Sequence, residues 1–156
     1  VAPLEAIPER LTSARAGRWL LAGAAVGLAA LVTWNSAHKS LWLDEAYTEY
    51  TTRLPFLAAI HRSWRYELQP PLYFAMLDLW RQIDRSVMFG RALSTLAAVA
   101  FVLVMAAIGR RVGLRRWWWL GVAAAAVPAV AWAASELRGY ALVMLLVALT
   151  FYFYVG

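Results

Sequence analysis

Apolar residues fall into four long runs along this chain, separated by two short polar turns and one extended mixed segment. Trp19 to Trp34 (WLLAGAAVGLAALVTW) carries no charge over 16 residues and has tryptophan at both ends. At 1.5 Å per helical residue it covers about 24 Å, against a hydrocarbon core of about 30 Å. The terminal tryptophans fit the aromatic belt of a membrane interface. Ala92 to Ile108 is the second run, with Gly90-Arg91 at its head. Trp117 to Ala134 is the third, with Pro128 as a kink, and Gly139 to Val155 is the fourth. The pattern predicts an all-α polytopic membrane protein with four transmembrane helices, over about 19–34, 90–108, 117–134 and 139–155, and a first outer loop over 35–86.

The segments between the runs have their own pattern. Val1 to Arg18 is a polar lead with Arg10, Arg15 and Arg18 near the first run, and Pro8-Glu9-Arg10 before Leu11 suggests a short interfacial helix. A basic lead and an apolar core also describe a signal peptide. However, Asn35-Ser36-Ala37 is a poor cleavage site and three further runs follow, which favours an anchor. In the outer loop, Leu54 to Tyr66 (LPFLAAIHRSWRY) places apolar residues at 54, 57, 60 and 64, opposite Arg62 and Arg65. That stripe reads as an amphipathic helix on the membrane surface, with Pro55 in its first turn. Gln69-Pro70-Pro71 stops this helix and starts another, Leu72 to Trp80, apolar nearly all round except for Asp78 and therefore expected to be buried in the interface or against other helices.

Composition agrees with a membrane protein: 63% of residues are hydrophobic, whereas soluble domains are about 45–50% apolar. The net charge of +6 comes from arginines beside apolar runs, which points to topology and away from nucleic acid. Arg110 to Arg116 holds four arginines in seven residues. That turn and the arginines before the first run are predicted to be cytoplasmic, with 35–86 and the Ser135–Arg138 turn outside. The outer loop carries six Lys/Arg, but six of the nine acidic residues accompany them. With no cysteine, disulfides and thiolate metal sites are excluded. The chain starts at Val1 and stops at Gly156 directly after an apolar run. It is therefore expected to be the N-terminal portion of one longer transmembrane domain.

Candidate chemistry centres on Ser40 to Tyr50 (SLWLDEAYTEY), which sets adjacent carboxylates, Asp44 and Glu45, in an aromatic stretch beyond the first run. Consecutive residues on a helix point about 100° apart, so the two cannot serve one atom directly. One can take a proton while the other holds an arginine, a cation or a helix. Arg91 and Arg138 head the second and fourth runs, and a guanidinium fork suits a phosphate leaving group. Simpler readings stand beside these. Adjacent acids are often solvated or paired with a lysine such as Lys39. Arg138 can be a snorkelling interfacial residue, and Arg91 can pair with Asp84 or another outer acid. Tyr47, Tyr50 and Tyr140 can stack on a sugar, contact a lipid phosphate or pack at the interface. The tryptophans at 117–119 read as an anchor, and His38 and His61 as interfacial. There is no glycine-rich phosphate loop and no Cys/His metal spacing.

SLWLDEAYT after a first span, then QPPLYFAMLDLW, GRALSTL and SELRGYALVMLL, resembles the start of a type C membrane glycosyltransferase. The closest resemblance is to the protein O-mannosyltransferase-like group that includes lipid A aminoarabinose transferases, and it runs from about Leu31 to Leu146. It implies a polyprenyl-phosphate sugar donor, a hydroxyl on a protein, lipid or glycan as acceptor, and inversion at the anomeric centre. The family's Asp-Glu pair falls on Asp44, the implied base, and on Glu45. Its arginine after the third span falls on Arg138, a phosphate-facing residue, and Arg91, Tyr47 and Tyr140 join the candidate substrate-binding set. The residue before the double proline is often histidine in the group and is Gln69 here, which leaves open any role of that histidine, metal contact included. No cofactor is required, and a divalent metal is allowed but not demanded. The expected reaction is transfer of a hexose, mannose for example, at the extracytoplasmic face of the plasma or inner membrane, with the N-terminus cytoplasmic. A rival class is a non-catalytic membrane module, lipid-binding remnant or subunit, which the length of the parent reading frame separates from the enzyme. A transporter ranks last, because Asp44 lies ten residues past Trp34 and not at a bilayer midplane.

Overall fold

The computed structural model describes residues 6–155, with side chains from Arg15 onward. Its order is α1 (Ala6–His38), α2 (Leu43–Thr51), α3 (Phe56–Arg65), α4 (Pro71–Trp80), α5 (Val87–Arg111), α6 (Trp118–Ala125), α7 (Pro128–Ser135) and α8 (Tyr140–Tyr154), with no strand among the described residues. The fold is all-α, as the apolar periodicity predicts. Two helices are long and apolar enough to cross a membrane, Arg15–His38 and Val87–Arg111. The α6–α7 pair makes a third when its halves are taken together, and α8 is an apolar helix of 15 residues. α1 runs unbroken from Ala6, so the expected lead helix at Pro8–Leu11 is its first turns. The placement of the Arg10 side chain lies outside the described residues.

α5 is the hub, packing against α1, α4, α6, α7 and α8. α1 turns Leu21, Ala25, Leu28 and Val32 into the bundle, a stripe at spacings of four, three and four residues. Small residues let the helices close up. A Cβ on Gly121 would sit 2.8 Å from the Val102 carbonyl oxygen, and one on Gly109 would sit 2.6 Å from that of Trp117. Gly17 receives the Trp118 ring, so this tryptophan is buried against α1 and not an interfacial anchor; its neighbour Trp119 is exposed.

The third apolar run does more than kink. Its halves meet at 65°, because Pro128 pushes Val127 out of the helical region to φ −74°, ψ 120°. The pair still spans the bundle: Trp118 lies by Gly17 at one end, and the Ala134 carbonyl accepts from Thr95 Oγ1 near the other. α8 travels back the opposite way, since Arg111 lies over the Tyr152 ring at 4.4 Å. The four-arginine turn thus occupies one end of the bundle, and α2–α4 with the α7–α8 link occupy the other.

The expected loop helices are present, and α4 seats Tyr73, Phe74 and Leu77 against Leu137 and Leu142. On α3 the residues turned inward are Ala59 and Ser63, while Leu57 and Trp64 of the apolar stripe are exposed. An outward apolar face is what a helix lying in a membrane interface presents.

Candidate active site

α2 begins at the extended residue Trp42 and carries Asp44 and Glu45 in its first turn, where the helix dipole favours carboxylates. Their side chains diverge as consecutive helical residues must. Glu45 turns into the protein and is fully buried. Arg91 grips it from α5, with Nε donating to Oε1 at 3.0 Å and Nη2 to Oε2 at 2.7 Å. The Leu137 amide donates to Oε1 at 2.7 Å. Arg91 gives its remaining N–H groups to the carbonyls of Ser36, Lys39 and Ser40 at 2.8, 3.0 and 3.3 Å, which uses all five guanidinium donors. Burial opposes ionisation of Glu45, but the Arg91 fork and the Leu137 amide outweigh it and hold the carboxyl below its ordinary value. Arg91 therefore pairs with an outer acid, and that acid is Glu45. Asp84 accepts from the Ser86 amide and hydroxyl instead.

Asp44 turns the other way, toward an open cavity of about 450 Å³ lined by Asp44, Tyr47, Arg62, Tyr66, Glu67 and Arg138. Its Oδ2 lies 3.5 Å from Nη2 of Arg138, and its side chain is 37% exposed. Arg138 is held from behind. Its Nη1 donates to Thr48 Oγ1 at 3.0 Å and to Glu67 Oε2 at 2.9 Å, and its carbonyl accepts from Ser94. Arg138 Nε is buried without a partner. Thr48 stands one turn after Asp44 and shares its face of α2. Arg62 donates to Thr51 Oγ1 at 3.2 Å and lies over the Tyr50 and Tyr66 rings at 4.8 and 5.3 Å.

No family model, curated protein or solved structure matches this chain. What the cavity can do therefore rests on its own chemistry. It presents two carboxylates, two guanidiniums and two phenols at one opening. Asp44, Tyr47 and Arg138, singled out in the sequence, meet there. Glu45 and Arg91 lie behind the cavity wall, and Tyr140 packs against the helix core with its ring stacked at 5.1 Å on the exposed Trp132. Lys39 pairs with Glu136, not with Asp44 or Glu45, and Trp42 joins it there. His38 donates to the Trp34 carbonyl within its own helix.

Glu67, Arg62, Tyr66 and Thr48 were not singled out in the sequence. Thr48 was accessible through its four-residue spacing from Asp44. Glu67 precedes Leu68, which takes the left-handed value φ 51° in the turn after α3, where the Gln69 amide reaches the Ser63 carbonyl at 3.0 Å. No local signal announces a leucine in that conformation, which costs about 1 kcal/mol or more relative to glycine.

The cavity does not form a ligand set for a divalent metal. Asp44 and Glu67 both face Arg138, and among the described residues no group of three His, Cys, Asp or Glu converges.

Proposed function

We propose that this chain is the N-terminal portion of an inverting glycosyltransferase that moves a hexose, mannose for example, from a polyprenyl-phosphate donor to a hydroxyl acceptor. The observation that carries the reading is the single cavity in which Asp44 and Tyr47 of α2 meet Arg138 at the head of α8. In this mechanism the acceptor hydroxyl oxygen attacks the anomeric carbon opposite the phosphate. The carbon–phosphate oxygen bond breaks with its electron pair going to the phosphate, the centre inverts, and Asp44 takes the hydroxyl proton. Arg138 offers Nη2 to the leaving phosphate, with Nη1 anchored by Glu67 and Thr48. Tyr47 and Tyr66 provide faces on which a sugar ring can stack. Glu45 and Arg91, both candidates from the sequence, act as positioning residues that dock α2 on α5. Tyr140 is assigned to packing.

The four end-to-end passages of the bundle are read as four membrane crossings, with α3 and α4 in the interface. The arginine turn is cytoplasmic and the cavity extracytoplasmic, and further spans of a longer parent complete the donor groove. In this cysteine-free chain, a cysteine at Gln82, exposed near the cavity end, should react with an impermeant thiol reagent in intact cells, and one at Gly113 should not. The reverse pattern overturns the orientation.

Chemistry is tested in the full-length parent. Asp44→Asn should lower turnover about 10²–10⁴-fold with donor-lipid binding retained. Transfer at the parental rate by a folded Asp44→Asn enzyme removes Asp44 as the base.

A further inference from the structure

The far end of α2 holds a second polar cleft, independent of the Asp44 cavity. It measures about 230 Å³ and is lined by Thr52, Arg53, Arg81 and Arg85. One carboxylate faces these three guanidiniums. Glu49 Oε1 accepts from Arg53 Nε and Nη2 at 3.0 and 2.9 Å and from Arg81 Nη2 at 2.9 Å, while Arg81 Nη1 lies 2.6 Å from Oε2. The C-terminal ends of α2 and α4 converge here and each adds about half a negative elementary charge. With Glu49, that offsets roughly two of the three positive charges and leaves the cleft cationic. Asp84 brings no relief, because its carboxylate caps Ser86 and lines a different cavity between α1 and α5.

Two features mark the cleft as a receptor and not merely a neutralised helix end. Arg81 is only 4% exposed, yet its Nε has no hydrogen-bond partner, an omission that a buried cationic donor does not tolerate without cost. Arg85 is exposed and makes no ion pair among the described residues. Its backbone is nevertheless held in place. Trp80 stacks on Phe89 at 4.8 Å and donates to its carbonyl, and the Arg85 carbonyl accepts from Arg81 Nη2. The segment between α4 and α5 is thus clamped with a free guanidinium at the mouth and a buried one on the floor.

We propose that Arg53, Arg81 and Arg85 form a binding site for a phosphate group. Guanidiniums match phosphate oxygens with paired hydrogen bonds, and Thr52, whose hydroxyl donates to the Thr48 carbonyl and accepts from Arg81 Nη1 at 2.7 Å, fixes Arg81 in the floor of the cleft. The cleft stands at the membrane-facing level of the bundle, where α5 begins, so the phosphate comes either from an anionic phospholipid headgroup or from a free phosphate. It opens separately from the Arg138 cavity, with which it shares no lining residue.

The test is binding to the full chain and does not depend on transfer activity. Thermal unfolding in neutral detergent is followed against inorganic phosphate, with sodium chloride matched for ionic strength. It is repeated in nanodiscs of phosphatidylglycerol and of phosphatidylcholine. Stabilisation by inorganic phosphate assigns a free phosphate, and stabilisation by phosphatidylglycerol alone assigns a lipid headgroup. Arg85→Gln, whose side chain holds nothing in the fold, should melt as the parent does without the anion and should bind it at least about tenfold more weakly. No stabilisation by either source beyond the matched salt overturns the proposal, and so does an unchanged response in Arg85→Gln.

Discussion

Every polar atom of the Glu45 and Arg91 side chains has a partner: two nitrogens of Arg91 and the Leu137 amide converge on the carboxylate, and Arg91 spends its other donors on three carbonyls. Around Asp44, one residue earlier, the nearest cation is 3.5 Å away and the carboxylate faces an open cavity. One residue of a helix, about 100° of rotation, thus separates a closed ionic joint from an open one. The closed joint ties α2 to α5 and to the α7–α8 link. The open one keeps a carboxylate and a buried guanidinium with spare capacity. A residue's saturation with partners distinguishes support from chemistry more sharply than its charge or its neighbours in the chain.

The largest effect that can break this contrast is on stability. Glu45→Gln leaves the Arg91 guanidinium buried without its counter-charge and should destabilise the fold by about 3–5 kcal/mol, read by thermal unfolding in detergent. A melting temperature equal to the parent's would mean the joint supports nothing. Acid should act on the same joint. The Glu45 and Glu49 carboxyls both lie below the ordinary glutamate value, since arginine hydrogen bonds outweigh burial. The unfolded chain then binds more protons, and the contribution is full above the ordinary value near 4.5. It is lost as pH falls through the lowered folded-state values. Melting temperature should fall with pH below that point, less steeply in Glu45→Gln, and a flat profile from pH 7 to about pH 3 sinks the assignment.

Smaller effects sharpen the open side. Leu68→Gly relieves the left-handed conformation beside Glu67 and should stabilise the protein by up to about 1 kcal/mol. A loss instead would show that the exposed leucine side chain holds the turn. Asp44→Asn, measured by unfolding alone, should cost less than about 1 kcal/mol, as expected for a half-exposed ion pair. A cost near that of Glu45→Gln would erase the distinction between the two joints.

Much of this architecture was legible in the chain. The four apolar runs, the helix after Pro55 and the helix starting at Pro71 follow from periodicity and proline placement, which are local properties. The 65° break at Val127–Pro128 exceeds a kink because the residue before proline left the helix too. The ionic partners were less accessible. Arg91 was expected to meet an outer acid, but Glu45 lies 46 residues from it and the Leu137 amide 92 residues from Glu45. Nothing in a local pattern selects among several acids at one end of a bundle. Glu67 was hidden for a different reason, since it stands beside a backbone conformation that leucine seldom adopts.

The stitch between Glu45 and Arg91 also sets an order of assembly during synthesis. Arg91 is the fifth residue of α5, so both partners are made before the bent pair, and α2 has its dock on the second long helix before Arg138 exists. Arg138 follows roughly fifty residues later, on the order of 3–10 s at ~5–20 residues per second. During that interval Asp44, Thr48 and Glu67 stand in place without their guanidinium. The cavity therefore closes only after α1 to α7 have been made, and the residue that closes it arrives on a turn that meets an already docked helix.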